Sequence, residues 1–414
     1  MNKTNDELTV SSSAGPSMFH PLRNPAFRLW WIGNSISRVG DQFYFVALPW
    51  LILQITGSSI VLGTVEMTAA IPRAALMLVG GVLTDRFSPR KIMMITACCR
   101  AILVASTAAL LWSNRLKVWE LYVFALGFGS ADAFASPAAE AYLPFLVAKD
   151  QLPGANSVSQ STSQVITLVA PAPAGLFIKA FGTAMALLID AVSFLFIIGS
   201  LWRLPDPERS ADDSPQTSMM RSILDAFQYV RKDAVLFALM LILAVVNLAV
   251  AGPESVGIAF IAKQKFSSAI VFGLLMSALG LGGLIGTLIA GAMKQSKRGA
   301  ALLLVSCIIG LCLVSLGLFQ SLPALFVGLF MLGGAEGVIT VQVIALLQQN
   351  VDRAMLGRVM SVLMFAAVGL MPISMAFTGF IIRWNLTGTY VSAGAIVLVV
   401  TLLAAARRPV RQLD

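Results

Sequence analysis

Gly80-Gly-Val-Leu-Thr-Asp85-Arg86-Phe-Ser-Pro-Arg90-Lys91 is a short charged hinge set between two long apolar runs, 60–82 and 92–112. Each run is long enough to cross roughly 30 Å of hydrocarbon as a helix. Two glycines let backbones approach closely, Asp85 can accept hydrogen bonds from a helix N-terminus, and Arg86, Arg90 and Lys91 put positive charge where the chain turns. Such a hinge holds two membrane helices at a set angle against their neighbours, and the rest of the chain is read outward from it.

Hydrophobic residues make up 57% of the chain and charged residues 12%, against roughly 25% charged in a soluble domain. No water-soluble fold hides that much apolar surface, so the class is all-α and polytopic. The first twenty residues are polar and lack an apolar core, so no cleaved signal peptide is expected and the first hydrophobic helix acts as its own insertion signal. The net charge of +9 does not point to nucleic acid, because the bases sit in short loops without aromatic interleaving. Cys98, Cys99, Cys307 and Cys312 all lie inside apolar runs and read as small core residues, with no metal or bridging role. The one histidine, His20, precedes the first helix, so proton chemistry within the bilayer falls to carboxylates. Without a phosphate loop of the G-x-x-x-x-G-K-[ST] kind, an ATP-driven pump is excluded. Neither an enzyme nor a cofactor is expected.

Apolar runs and their breakers give twelve spans, at 28–53, 58–83, 91–112, 118–140, 157–179, 183–203, 234–262, 267–293, 299–319, 323–347, 358–383 and 387–406. With the N-terminus inside, twenty of the twenty-nine Lys and Arg fall on cytoplasmic segments and six on outer loops; Arg38, Arg73 and Arg100 fall within spans. That bias places both termini in the cytoplasm. The longest polar stretch divides the chain into a tail at 1–27, a six-helix bundle at 28–203, a middle loop at 204–233, a second bundle at 234–406 and a tail at 407–414. Within the loop, Met220, Ile223, Leu224, Phe227 and Val230 share a helical face, as expected of an amphipathic helix on the inner leaflet. Phe124-Ala-Leu-Gly127 in the fourth span is echoed by Phe330-Met-Leu-Gly333 in the tenth, and Gln151-Leu-Pro-Gly154 by Ala354-Met-Leu-Gly357. Both echoes suit two bundles related by a pseudo-two-fold.

Ionisable groups inside a bilayer cost about 2.5–3.5 kcal/mol or more and need partners or a water-filled path. Asp41 lies three residues after Arg38, so the two either neutralise one another or Asp41 serves as a substrate or gating contact. Glu66 and Arg73, seven residues apart, share a face that should meet protein or water. Asp132 and Glu336 each sit near the middle of a span after a Leu-Gly pair, and Glu336 has no base on its own helix. An unpaired carboxylate there suits proton exchange. Asp190 is read as bonding a neighbouring helix, and Glu254, after Pro253, as satisfied by water or a gate contact near the outer end of its span. Pro171, Pro173 and Gly175 bend the fifth span and permit close packing, marking a candidate hinge.

Gly81, Leu83, Asp85, Arg86 and Arg90 match the loop between helices 2 and 3 of the major facilitator superfamily, G-x-L-a-D-[RK]-x-G-[RK]-[RK], while Ser88 and Pro89 depart from it. Asn24-Pro-Ala-Phe-Arg28, Ser37-Arg-Val-Gly-Asp41 and Gly357-Arg358 resemble the macrolide-efflux and siderophore-exporter branch. Pro171 and Gly175 resemble a degraded proline-glycine signature of proton-coupled exporters. The resemblance implies the major facilitator fold, twelve helices in two six-helix bundles around a cavity lined by spans 1, 4, 7 and 10. It implies a monomeric secondary transporter of the cell's inner membrane, exporting small lipophilic or cationic molecules against protons by alternating access. Glu336 and Asp132 would then exchange protons or attract substrate, with Asp41 and Glu66 extending the path. Gly81, Asp85, Arg86 and Arg90 would latch the cytoplasmic side, and Phe43, Tyr44 and Phe45 would offer aromatic contacts. Alternatives are a dedicated metabolite or siderophore exporter and, from another class, a non-transporting receptor or assembly protein.

Overall fold

The fold is that of a computed structural model, which describes residues 20–206, 228, 231, 234–293, 298–351, 359 and 368–406. Every regular element among them is helical. The first half comprises α1 (Pro25–Thr56), α2 (Ser59–Arg86), α3 (Pro89–Trp112), α4 (Val118–Tyr142), α5 (Leu152–Val169), α6 (Pro171–Phe181) and α7 (Thr183–Arg203). The second comprises α8 (Ala234–Gly252), α9 (Ala269–Ala292), α10 (Arg298–Leu318), α11 (Leu322–Asn350), α12 (Met371–Ile381) and α13 (Leu386–Ala406). Beyond α8 the chain runs on through a π turn, Pro253–Gly257, one α turn, Ile258–Ile261, and a second π turn, Ala262–Phe266. Each expected span has its helix; the fifth is the pair α5 and α6, which meet at 43°, and the eleventh is described as α12. The amphipathic helix expected in the middle loop lies outside the described residues but for Gln228 and Arg231, as do residues 1–19 of the first tail, the second tail and Gly357-Arg358.

Eight stretches are long and apolar enough to cross a membrane, nine with the bent pair, among the described residues. α1 and α4 fall short of that standard because polar side chains run along their inward faces, Arg38, Asp41 and Gln42 on one and Asp132 and Ser136 on the other. Outward faces are apolar: Ile95, Ile102, Leu195, Leu288, Leu304, Leu311 and Leu402 are all exposed, and Trp112, Trp119, Trp202 and Trp384 stand exposed near helix ends, where indole rings meet the membrane interface. Of the cysteines only Cys312 is buried, and Cys99 is exposed. The core-residue reading therefore fails for Cys99, because an apolar run has a lipid-facing side as well as an inner one.

Local signals fix the helix ends. Asn24 caps α1 by accepting from the Ala26 and Phe27 amides, with Pro25 in the first position. Gly57 ends it in the left-handed region at φ +62°. In the hinge the cap of α3 is Ser88, with Pro89 next, so the two departures from the family pattern are themselves a helix-start signal. Asp85 does not have that role, since α2 continues to Arg86. The side chains of Gly81 to Arg86 lie outside the described residues. Arg90 donates from Nε to the Leu201 carbonyl at 2.6 Å and from Nη2 to that of Trp202 at 3.1 Å. Its contacts are thus with the carboxyl end of α7 in the same half, where a cation suits the helix dipole.

Asp206 completes this corner: its carboxylate accepts from the Ser88 hydroxyl and pairs with Lys91 Nζ at 3.2 Å. The Ser88 hydrogen bond first, and then Lys91, hold its carboxyl below the usual range. A depressed native pKa contributes stability above the unfolded value, about 3.9, that is lost as pH falls through the native one. Asp206→Asn should therefore cost about 1 kcal/mol or less, half-exposed pairs being weak. In thermal unfolding the deficit should be equal at pH 7 and pH 5 and shrink only below about pH 4.

Close helix crossings organise each half. A Cβ on Gly129 of α4 would run into the Ala69 carbonyl of α2, and one on Gly333 of α11 into the Leu279 carbonyl of α9. Asp132 and Glu336 each lie three residues beyond those glycines. The correspondence between halves thus runs Gly129 to Gly333, two residues off the register of the sequence echo, in which Gly127 meets only the Leu103 side chain. Gly282 and Gly286 of α9 are packed onto the Phe330 and Gly334 carbonyls. Gly282→Ala should force two backbones apart and cost about 3 kcal/mol, read as a lowered melting temperature of the purified protein; an unchanged one would show that α9 and α11 separate freely.

The two halves meet through α2 on α12 and α6 on α9. At the first contact Gly63 faces Gly379, at the second Gly175 faces Gly273, and in each pair a Cβ on either glycine would clash with the partner backbone. Ser59 Oγ adds a hydrogen bond to the Gly379 carbonyl at 2.8 Å. Both seams lie toward the end that carries Gly57 and Gly182, and the second continues along α9 to Gly280, which lies against the α5 backbone at Thr167 and Leu168.

Candidate functional site

Two adjoining cavities share Gln42, Phe45 and Thr167 in their walls. One, of about 160 Å³, sits inside the first half and is lined by Arg38, Asp41, Arg73, Arg100 and Asp132 with Ser37, Thr96, Ser136 and Ser163. The other, of about 410 Å³, lies between α1, α5 and the second half and holds Glu254 and Glu336 among Thr287, Thr340 and glycines of α9 and α11. The chamber is therefore lined by α2, α3, α5 and α9 as well as by the four expected spans.

Arg100 organises the first cavity. Its side chain is 9% exposed, and Nη1 lies 3.4 Å from Asp41 Oδ1 and 3.3 Å from Asp132 Oδ1. Arg73 Nε approaches Asp132 Oδ2 at 3.1 Å. Phe194 lies under the guanidinium at 4.6 Å and Phe128 at 5.8 Å, and Tyr44 stacks on the far face of Phe128 with centroids 4.1 Å apart. Two acids and two bases thus form a chain across α1, α3, α4 and α2. Arg38 does not pair with Asp41: it donates to Ser163 Oγ at 2.8 Å on α5. A same-helix partner is outcompeted here because Arg100, buried, has no alternative to the carboxylates, whereas Arg38 reaches polar groups at the open side.

Glu336 and Glu254 have a different setting. No salt bridge reaches either among the described residues, and both are partly buried in the larger cavity. Glu254 belongs to the π turn that follows Pro253, whose carbonyl accepts from Tyr390 at 2.8 Å. The extra backbone residue of that turn directs Glu254 to the chamber instead of to an outer gate. Glu66 lines neither cavity. Of the three aromatics only Phe45 lines the chamber; Phe43 packs on Phe177 and Tyr44 on Phe128, both buried, because successive residues of a helix point about 100° apart. Pro171 stands in the chamber wall at the α5–α6 bend, while Gly175 lies in the seam with α9.

The family model described as transmembrane secretion effector matches residues 16–414. The chain belongs to that family. Among curated relatives of this secretion effector are enterobactin exporters of Citrobacter koseri and Escherichia coli, each 28% identical over 347 residues that cover 81% of this chain and 80% of the relative. Similar solved structures include the nucleoside transporter NupG, 12% identical with a TM-score of 0.75 over 92% of this chain and 98% of that one. A bacterial homologue of the iron transporter ferroportin in an inward-facing state is 17% identical, with a TM-score of 0.68 over 92% and 99%. The chain is thus a multi-pass membrane transporter of the major facilitator fold, and not an enzyme.

Two residues of this secretion effector's chamber escaped the sequence reading. Arg100 was set aside as one base within a span, and only its position on the inward face of α3 identifies its partners on α1 and α4. Glu254 was placed too far out. Pro253 was the available signal, since a proline inside a helix forces the backbone to deviate at that point.

Proposed function

We propose that this chain is a proton-coupled exporter of polar, siderophore-like small molecules, moving them out of the cytoplasm across the inner membrane by alternating access. The observation that carries the reading is the division of the chamber: arginines and hydroxyls on the wall of the first half, and on the wall of the second two glutamates with no basic partner among the described residues. The arginine wall suits oxygen-rich or anionic substrates, which guanidinium groups bind through paired hydrogen bonds. The opposite wall suits proton uptake and release, because both carboxyls line the cavity and neither is held in a salt bridge among the described residues. The relatives' export of enterobactin supports this class of cargo. A lipophilic cation would meet Arg38, Arg73 and Arg100, which disfavours the multidrug reading.

The distribution of Lys and Arg supports cytoplasmic termini. In that frame the glycine seams close the outer end, and the chamber faces inward. Glu336, with Glu254, carries the proton; Asp41 and Asp132, fixed by arginine, form the substrate wall. The bend at Pro171 and Pro173 accommodates the change between states.

Everted membrane vesicles test the reading. Enterobactin should accumulate when a proton gradient is imposed and cease to when it is collapsed, while a cationic dye should not accumulate. Uptake indifferent to the gradient removes proton coupling, and preference for the dye restores the multidrug class. Failure of every compound to accumulate favours a receptor or assembly role.

A further inference from the structure

Behind the smaller cavity lies a carboxyl that the chamber does not use. Asp190 of α7 is wholly buried, and its Oδ2 has no hydrogen-bond partner among the described residues. Oδ1 has only a long contact of 3.5 Å with Ser193 Oγ. The α1 backbone closes over the group, since a Cβ on Gly40 would fall 2.7 Å from Asp190 Oδ1, and Asp41 is the next residue. A complementary orphan lies beside it: Nε of Arg100, on the neighbouring α3, is likewise buried without a partner. The guanidinium rests on Phe194, one turn along α7 from Asp190.

The ionisable groups that face this point are few. α1 contributes Asp41 and Tyr44, with Arg38 turned away to Ser163; α3 contributes Arg100, with Asp132 of α4 beyond it; and α6 offers only Lys179, toward the Gly182 end. Asp41 and Asp132 already balance Arg73 and Arg100. With Arg38 spent on Ser163 at the open side, a third carboxylate would be a buried charge with no ion pair of its own, whereas a neutral carboxyl protonated on Oδ1, toward Ser193 Oγ, leaves unmatched only the Oδ2 carbonyl oxygen, a far smaller cost.

We propose that Asp190 is a proton-binding site behind the chamber, gated by Arg100. With Arg100 on Asp41 and Asp132, Asp190 holds its proton. When Arg100 turns its free Nε side to Asp190, one proton passes from the Asp190 carboxyl to the still-ionised Asp41–Asp132 pair and neutralises one of its two charges. Arg100 keeps its charge throughout, so charge and protons balance. The inference rests on the proton-coupled reading for its use in transport, but its test follows the proton and not the cargo.

Infrared difference spectra of the full chain in lipid, at pH 7 and without substrate, decide it. Wild type minus Asp190→Asn should show one carboxylic-acid carbonyl band per chain that shifts in heavy water. Superimposable spectra would overturn the proposal, since Asp190 would then be ionised, through a bridging water or otherwise. The double variant Asp41→Asn/Asp132→Asn leaves Asp190 intact and frees Arg100 to pair with it. There the band should disappear, and its persistence would refute the gating. Should Asp190→Asn fail to fold, wild type against the double variant alone gives the answer.

Discussion

Glu336→Gln should lower gradient-driven accumulation in vesicles by about 100-fold or more, the lower end of what a positioned proton-transfer group contributes, while leaving expression and folding intact. Gln matches Glu in shape, so the packing of α11 on α9 is preserved. The substitution also removes one of two like acids from the shared cavity with Glu254, and like charges in one site oppose each other. Thermal stability should accordingly be equal to wild type or higher. Transport at the wild-type rate with an imposed gradient would remove Glu336 from the mechanism. A melting temperature well below wild type would show that the carboxylate is bound by a partner and is not free.

Arg100→Gln is expected to act on stability. Arg100 touches both Asp41 and Asp132 from a nearly dry position, and removing one member of a buried ion pair costs about 3–5 kcal/mol because the remaining charge is left uncompensated. Asp132 retains Arg73, so the loss falls mainly on Asp41. Adding Asp41→Asn to Arg100→Gln should therefore recover a large part of the deficit. Strict additivity of the two losses in thermal or denaturant unfolding would show that the pair is not coupled. Arg100→Lys should rescue poorly, since a compact, strongly hydrated ammonium loses the planar guanidinium that rests on Phe194 and is costlier to hold in a nearly dry site.

The spans were legible because water and lipid sort residues along the chain itself. An apolar run such as 299–319 has to lie in hydrocarbon whatever surrounds it, and α10 occupies Arg298–Leu318. The same logic located mid-span acids, since Asp132 and Glu336 have too few reasons to sit there without a solvated path. Ends were legible where chemistry is local, as at Asn24-Pro25. Pairing was not. Arg38 and Asp41 share a helix face, yet each is drawn to another helix, and the bond from Arg100 to Asp41 joins residues 59 apart in sequence. Nor was the register between halves, where the repeated Phe-x-Leu-Gly string led two residues astray from the glycines that make the crossings.

The sequence by itself determined that the chain is a helical membrane protein, where its spans lie and which acids are stranded within them, because transfer between water and lipid acts on each segment separately. Only the tertiary structure decided that Arg100 neutralises the first-half acids, that Glu254 joins Glu336, and that the pairs Gly63–Gly379 and Gly175–Gly273 join the halves. Those outcomes depend on which faces of distant helices meet, and in a low-dielectric interior the nearest opposite charge across a helix contact outweighs the neighbour along the chain.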